Sequence, residues 1–205
     1  MLGDFFMERT AYMIAITDNL LETQLRDQLL RIEPVISGVI LRLPWHEERL
    51  ADFIQLLLDG GFNKDKLIIH SNCRLLEHYQ LSRIHFRAGD PKGFDMKKSR
   101  PDVTVSMAVH SAAECPALKA AQIDYGIFSP LFATPSKPGV QLRTDEEITQ
   151  ALAAGLPLIA LGGITTETVS QLPSGFVTIA GIRLFQQDNA TLQAIKEVLL
   201  SKRMT

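Results

Sequence analysis

A single-domain (β/α)8 barrel is the fold that this 205-residue chain predicts. Three observations carry the prediction. Eight short apolar, β-branched runs recur along the chain, nearly all followed by a segment with helical spacing or a capping residue. The runs are continuously apolar instead of alternating, as parallel strands buried on both faces require. The connections are short, and no GxGxxG follows the first run, which removes the main argument for an open doubly wound sheet. Eight strand–helix units match a closed barrel, here a compact one.

The elements read in order as follows. Tyr12 to Thr17 is the first strand, and Asp18 and Asn19 are placed to cap a helix over Leu20 to Ile32. Gly38 to Leu43 is the second strand. The helix after it runs from Glu47 to Leu58 and stops at Gly60-Gly61. Lys66 to His70 is the third strand, with a short helix over Asn72 to Tyr79. Arg83 to Phe86 is the fourth, and Gly89 to Arg100 after it reads as a loop. Asp102 to Val109 is the fifth, with Ser111 as a cap and Pro116 in or near the first turn of the next helix. Tyr125 to Phe128 is the sixth, and Thr144 opens a helix to Ala154. Pro157 to Leu161 is the seventh, with Thr165-Thr-Glu-Thr168 starting a helix. Phe176 to Ala180 is the eighth, and Asn189 caps a final amphipathic helix over Thr191 to Leu200. Residues 1–11 read as a leader and 12–205 as the barrel domain.

Composition narrows the class of function. Hydrophobic residues make up 46% and charged residues 21%, a globular profile. A formal net charge of −2 offers no broad basic face, so nucleic acid is not an expected partner. No apolar run is long enough to span a membrane, and the N-terminus lacks the order of a signal peptide. Cys73 and Cys115 show no metal-ligand spacing and read as reduced, small hydrophobes of a cytoplasmic protein. Homo-oligomerisation is left open.

In a barrel the chemistry sits in the loops after the strands. That rule selects Arg42, His70 with Ser71, Asp90, His110, the Ser129–Lys137 loop, Gly162-Gly163 and Gly181. Thr134, Ser136 and Lys137 offer hydroxyl donors and a positive charge. Gly162 and Gly163 let backbone N–H groups approach a phosphate, beside a helix start that favours anions. The expected ligands are therefore small-molecule phosphates. His85, inside the fourth strand, reads as a hydrogen-bonded core histidine, and Trp45 as a residue that packs or covers the pocket.

These loops resemble the thiamine-phosphate synthase family and its sister group, the thiazole tautomerases. The resemblance rests on Ile16-Thr-Asp18, Val109-His-Ser111 with Glu114, Asp124-Tyr125 leading to Ser129-Pro130-Leu-Phe132, Thr134-x-Ser136-Lys137, and Ala160-Leu-Gly-Gly-Ile164. It implies a small barrel in thiamine biosynthesis, a transferase joining hydroxymethylpyrimidine diphosphate to thiazole phosphate with loss of pyrophosphate. It further implies Mg²⁺, with Asp90 as a metal ligand. Arg42, Lys137 and His110 would be catalytic. Arg42, His70, Pro130, Thr134, Ser136, Lys137, Gly162, Gly163 and Gly181 would contact substrate.

The chain also departs from the family's pattern. Ile40-Leu-Arg-Leu-Pro44 stands where the family carries Q-L-R-E-K, and His70-Ser71 where it carries N-D, so a second magnesium aspartate is replaced by a serine. Pro130 is of the synthase type, whereas the tautomerases carry a histidine there. The synthase is thus the first reading. A tautomerase using His70, His110 or Asp90 as proton carrier is the second, and a non-catalytic binder of phosphate ligands the third.

Overall fold

The computed structural model describes residues 13–134 and 139–203. The expected leader, 1–11, lies outside the described residues. Eight strands form one closed barrel in sequence order. They are β1 (Met13–Ile16), β2 (Gly38–Leu41), β3 (Leu67–His70), β4 (Arg83–Phe86), β5 (Thr104–Val109), β6 (Tyr125–Phe128), β7 (Leu158–Leu161) and β8 (Thr178–Gly181). Every neighbouring pair is parallel, and β8 closes on β1 through Met13↔Ile179, Ile14↔Ala180 and Ala15↔Gly181. The α-helices are α1 (Glu22–Ile32), α2 (Glu47–Asp59), α3 (Cys73–His78), α4 (Pro91–Ser99), α5 (Cys115–Ala120), α6 (Asp145–Ala153) and α7 (Asn189–Arg203). No helix among the described residues is long and apolar enough to cross a membrane.

Strand alternation sorts the core into two parts. Ile14, Ile16, Ile40, Ile68, Ile127 and Ile159 pack with Tyr125 and Ala180 as one cluster inside the barrel. The opposite faces, with residues such as Val39, Ile69, Val105 and Phe128, pack against Leu25, Phe53 and Ile195 of the helices in a larger cluster. The interior is not wholly apolar. His85 and Ser106 sit side by side in the β4–β5 register, and Ser106 is abreast of Tyr125.

The local chemistry differs from expectation at three places. The Gly89–Arg100 stretch is not all loop. Asp90 Oδ1 accepts the Lys92 N–H at 3.0 Å, Pro91 takes the first turn, and α4 follows. Glycine at position 93 weakens helical propensity, yet it is needed, because a Cβ there would lie 2.9 Å from Met107 Sδ. After β7 only a 3-10 turn forms, Val169–Gln171. The Thr168 hydroxyl donates to the Gly163 carbonyl and accepts from the Thr165 N–H, so side chains there bind main-chain groups that a helix would use. Caps are displaced at the two ends of the chain. The Asp18 carboxylate holds Asn19 N and Gln186 Nε2 and does not cap α1, and Asp188, not Asn189, accepts the Thr191 N–H of α7.

One buried ion pair ties α4 to the sheet. Lys97 Nζ lies 2.7 and 2.9 Å from the two Asp124 carboxylate oxygens and donates to Val103 O, while Asp124 Oδ2 also accepts the Val105 N–H. The side chains are 11% and 3% exposed. Removing one partner of such a pair strands the other charge in a poor solvent. Lys97→Met is therefore expected to lower unfolding stability by about 3–5 kcal/mol, measured as a shift of the urea midpoint at constant m-value. A loss within experimental error would show that water reaches Asp124.

Candidate active site

Strand geometry brings the C-terminal ends of all eight strands to one rim, and hydrogen bonds fix the loops that leave it. On the β1–β2 side, the Thr17 hydroxyl accepts the Arg42 N–H at 2.9 Å and donates to the Arg42 carbonyl at 3.0 Å. Arg42 follows directly on β2, also gives its N–H to Ile40 O at 3.0 Å, which turns the chain there, and is exposed at the mouth. Leu41 pairs with Ile69, which sets Arg42 abreast of His70.

His70 pairs with His85, and the two rings stand 5.9 Å apart. His85 Nδ1 is 2.9 Å from Ser106 Oγ, and that hydroxyl donates to Ile84 O. A serine hydroxyl has one proton, so Nδ1 carries the hydrogen and donates to Ser106. Burial pushes the His85 pKa down to about 3, with His70 and Arg42 lowering it further. Burial also brings His70 to about 4, helped by the charges of Arg42 and Arg87, with its own main chain and Asp90 opposing. Both imidazoles are neutral near neutral pH, beneath a cationic rim.

Ser71 follows in a left-handed conformation, φ 55°. Its N–H donates to His85 O at 2.9 Å, while its hydroxyl oxygen is buried without a partner among the described residues. Arg87 follows directly on β4, is exposed, and its charge acts on His70. Its place at a strand end was a usable signal in the sequence, where the same rule selected Arg42 and His70.

Asp90 is near enough to raise the His70 pKa, but its Oδ1 is engaged as the α4 cap. No group of three or more metal-binding side chains occurs among the described residues. A hydrated Mg²⁺ is held by carboxylates at closely set oxygens, and a serine hydroxyl is a poor replacement. Asp90 with Ser71 does not fit that ion.

On the far side, Arg143 joins two strand ends. Its Nη1 donates to His110 O at 2.6 Å and its N–H to Pro130 O at 3.1 Å. His110 is exposed at the rim, its N–H held by Glu114 at 3.2 Å. The Ser129–Pro130 bond is cis. The 130–133 segment lies on the glycine pair, with Leu131 N–H to Leu161 O at 3.1 Å and Phe132 N–H to Gly162 O at 3.0 Å. A Cβ at Gly162 would be 2.9 Å from Pro130 Cα. One at Gly163 would meet Ala133 O and lie 2.6 Å from Phe132 O. The glycines thus have a steric reason beyond phosphate access. Gly181 ends β8 just before the 3-10 turn Arg183–Gln186. Thr134 is described and half-buried; Ser136 and Lys137 lie outside the described residues.

The remaining readings resolve as packing. Trp45 stacks edge-on against Phe53 at 5.2 Å and carries Arg49 over its ring at 4.1 Å. Burial raises the thiol pKa of both Cys73 and Cys115, so neither is an activated nucleophile.

The sequence model of the thiamine monophosphate synthase family matches residues 45–185. This chain belongs to that family. The matched stretch holds every loop from β3 to β8 and leaves Arg42 outside it. Among family relatives, the thiamine-phosphate synthase of Methanoculleus marisnigri is 36% identical over 94 residues, 43% of this chain and 44% of that protein. The thiamine-phosphate synthase of Methanoregula boonei is 32% identical over 97 residues, 45% and 44% respectively. The aligned stretches thus span under half of either relative. In fold, the thiamine phosphate pyrophosphorylase of Pyrococcus furiosus superposes with a TM-score of 0.72 at 14% identity, over 95% of this chain and 98% of that one. A 3-hexulose-6-phosphate synthase gives 0.70 at 11%, over 91% and 99%, so the architecture is shared well beyond the thiamine family.

Two tests follow from the site's packing and charge. Gly163→Ala forces a left-handed residue, φ 64°, against backbone that cannot yield, and is expected to cost at least about 1–3 kcal/mol in thermal unfolding. Folded His85 titrates far below its unfolded value, so the unfolded chain binds more protons between the two. Stability is then full above about pH 6.5 and falls as pH drops toward 3, by at most about 1.4 kcal/mol per pH unit from this group. His85→Asn, which keeps a donor near Ser106, should flatten that acid limb in urea titrations run at successive pH values.

Proposed function

We propose that this protein is a thiamine-phosphate synthase-like transferase that joins hydroxymethylpyrimidine diphosphate to thiazole phosphate in thiamine biosynthesis. The observation that carries the reading is the interlock of the 130–133 segment with Gly162-Gly163, within a family match that spans both loops. It holds backbone at the top of β6 and β7, beside the turn after Gly181, in the place where barrels of this kind bind phosphate. There the thiazole phosphate is held by main-chain N–H groups around Gly162, Gly163 and Gly181. The motif Thr134-x-Ser136-Lys137 assigns these three residues to the same phosphate.

The pyrimidine diphosphate enters on the β2–β4 side. Its methylene carbon–oxygen bond breaks, pyrophosphate takes the electron pair, and the thiazole nitrogen supplies the pair for the new carbon–nitrogen bond. Charge builds on the departing oxygen, so positive groups poised there lower the barrier. Arg42 and Lys137 have that role. His110, its carbonyl clamped by Arg143, sits at the rim between the two ligands. Pro130 occupies the position of the tautomerase histidine, which disfavours an isomerase. A cytoplasmic setting suits such phosphorylated substrates.

The direct experiment mixes the protein with both substrates and follows pyrophosphate release and thiamine phosphate formation, with and without Mg²⁺. Turnover is expected, and Lys137→Ala should reduce it by at least about a hundredfold. A flat trace beside an active control, with thiazole phosphate still bound by calorimetry, would replace the synthase reading with the non-catalytic one.

A further inference from the structure

The mouth over β2, β3 and β4 contains a set of groups that the synthase chemistry of the family does not require together. Arg42 and Arg87 follow directly on β2 and β4, are exposed, and lie near enough for the charge of each to act on His70. Among the described residues neither guanidinium is ion-paired with a carboxylate, while Arg26, Arg49, Arg74, Arg100 and Arg143 all are. Next to His70 in the chain, Ser71 holds a buried hydroxyl with no partner among the described residues. A buried polar atom without a hydrogen bond calls for an explanation, and a ligand oxygen supplies one. The carboxylate closest in sequence to this mouth, Asp90, already caps α4.

We infer that this mouth is a metal-independent subsite for a diphosphate, in which Arg42 and Arg87 supply the positive charge a divalent cation would bring and Ser71 with His70 supplies neutral hydrogen bonds. The identity of the ligand rests on the synthase reading. The charge argument does not: two guanidinium forks match the oxygens of adjacent phosphoryl groups and stay charged at any working pH. Burial is the main reason both imidazoles stay neutral, and the positive charge of Arg42 beside both and of Arg87 beside His70 acts in the same direction. Position 71 keeps a left-handed backbone that aspartate and asparagine tolerate well, so the exchange of aspartate for serine alters the chemistry of the side chain and not the path of the chain.

Isothermal calorimetry with inorganic pyrophosphate tests the inference without turnover. Binding in EDTA is expected, with Kd changed less than about threefold when Mg²⁺ replaces the chelator. Each of Arg42→Gln and Arg87→Gln should weaken it about tenfold or more, the scale of one charge-assisted bidentate contact. Ser71→Asp places a negative charge under the ligand, so it should weaken binding in EDTA and make it Mg²⁺-responsive. Binding by the unaltered protein only when Mg²⁺ is present, or binding indifferent to both arginines, would overturn the proposal. The two readings fail separately. Pyrophosphate bound in EDTA with no turnover leaves this subsite standing and removes the synthase, whereas turnover with an absolute Mg²⁺ requirement does the reverse.

Discussion

Closure of the parallel sheet is the constraint on which everything else depends. Once β8 pairs with β1, no strand edge remains, and all eight carboxyl ends face one rim. The interior must then be filled by side chains from alternate positions, and β-branched isoleucine does most of that on β1, β2, β3, β6 and β7. Closure also forces any polar residue on the inner face to find its partner inside the barrel. His85 and Ser106 satisfy each other across the β4–β5 register, which is why a histidine can sit in the core without a charge.

The rim divides into two halves with different physical character. Above β5 to β7 it is held by backbone. Arg143 binds two carbonyls from different loops, and the glycine pair admits the 130–133 segment because it has no Cβ. That half is built largely from main-chain groups, as suits a phosphate held by N–H donors. Above β2 to β4 it is built from side chains, with exposed Arg42 and Arg87 just past the strand ends and a Ser71 hydroxyl without a partner among the described residues.

The barrel was legible in the chain because eight buried parallel strands leave an unbroken apolar signal that turns and caps punctuate. Thr144 with Glu147 made a capping box as its spacing indicated, and Ser111 accepts the N–H expected of a cap, while Asn72, read as the first helical residue, is itself the cap. Where side chains compete with the backbone, the pattern misled. Thr165-Thr-Glu-Thr168 has the composition of a helix start, but its hydroxyls bind main-chain groups in place. Asp90-Pro91 is a helix start that Gly93 disguised. In the site, strand ends announced Arg42, His70, His110 and the glycine pair. Arg143 could not be read that way, since it lies just ahead of a helix and reaches the rim only through the fold. Lys137 and Ser136 lie outside the described residues, so their part rests on the motif alone.

The exchange at position 71 bears on more than one residue. Aspartate there would add a negative charge near Asp90 and under Arg42 and Arg87, and a cation would be needed to make the mouth attractive to a diphosphate. Serine removes that charge, and the arginines then act on the ligand directly. The family's lysine at position 44, now proline, would have added a third positive charge to a mouth that no longer carries two carboxylates. Leu43 also stands where the family carries glutamate, so these positions lose two negative charges and one positive and become more positive by one. The departures taken together shift the charge in the positive direction, which is the direction that holding a diphosphate without a divalent cation requires.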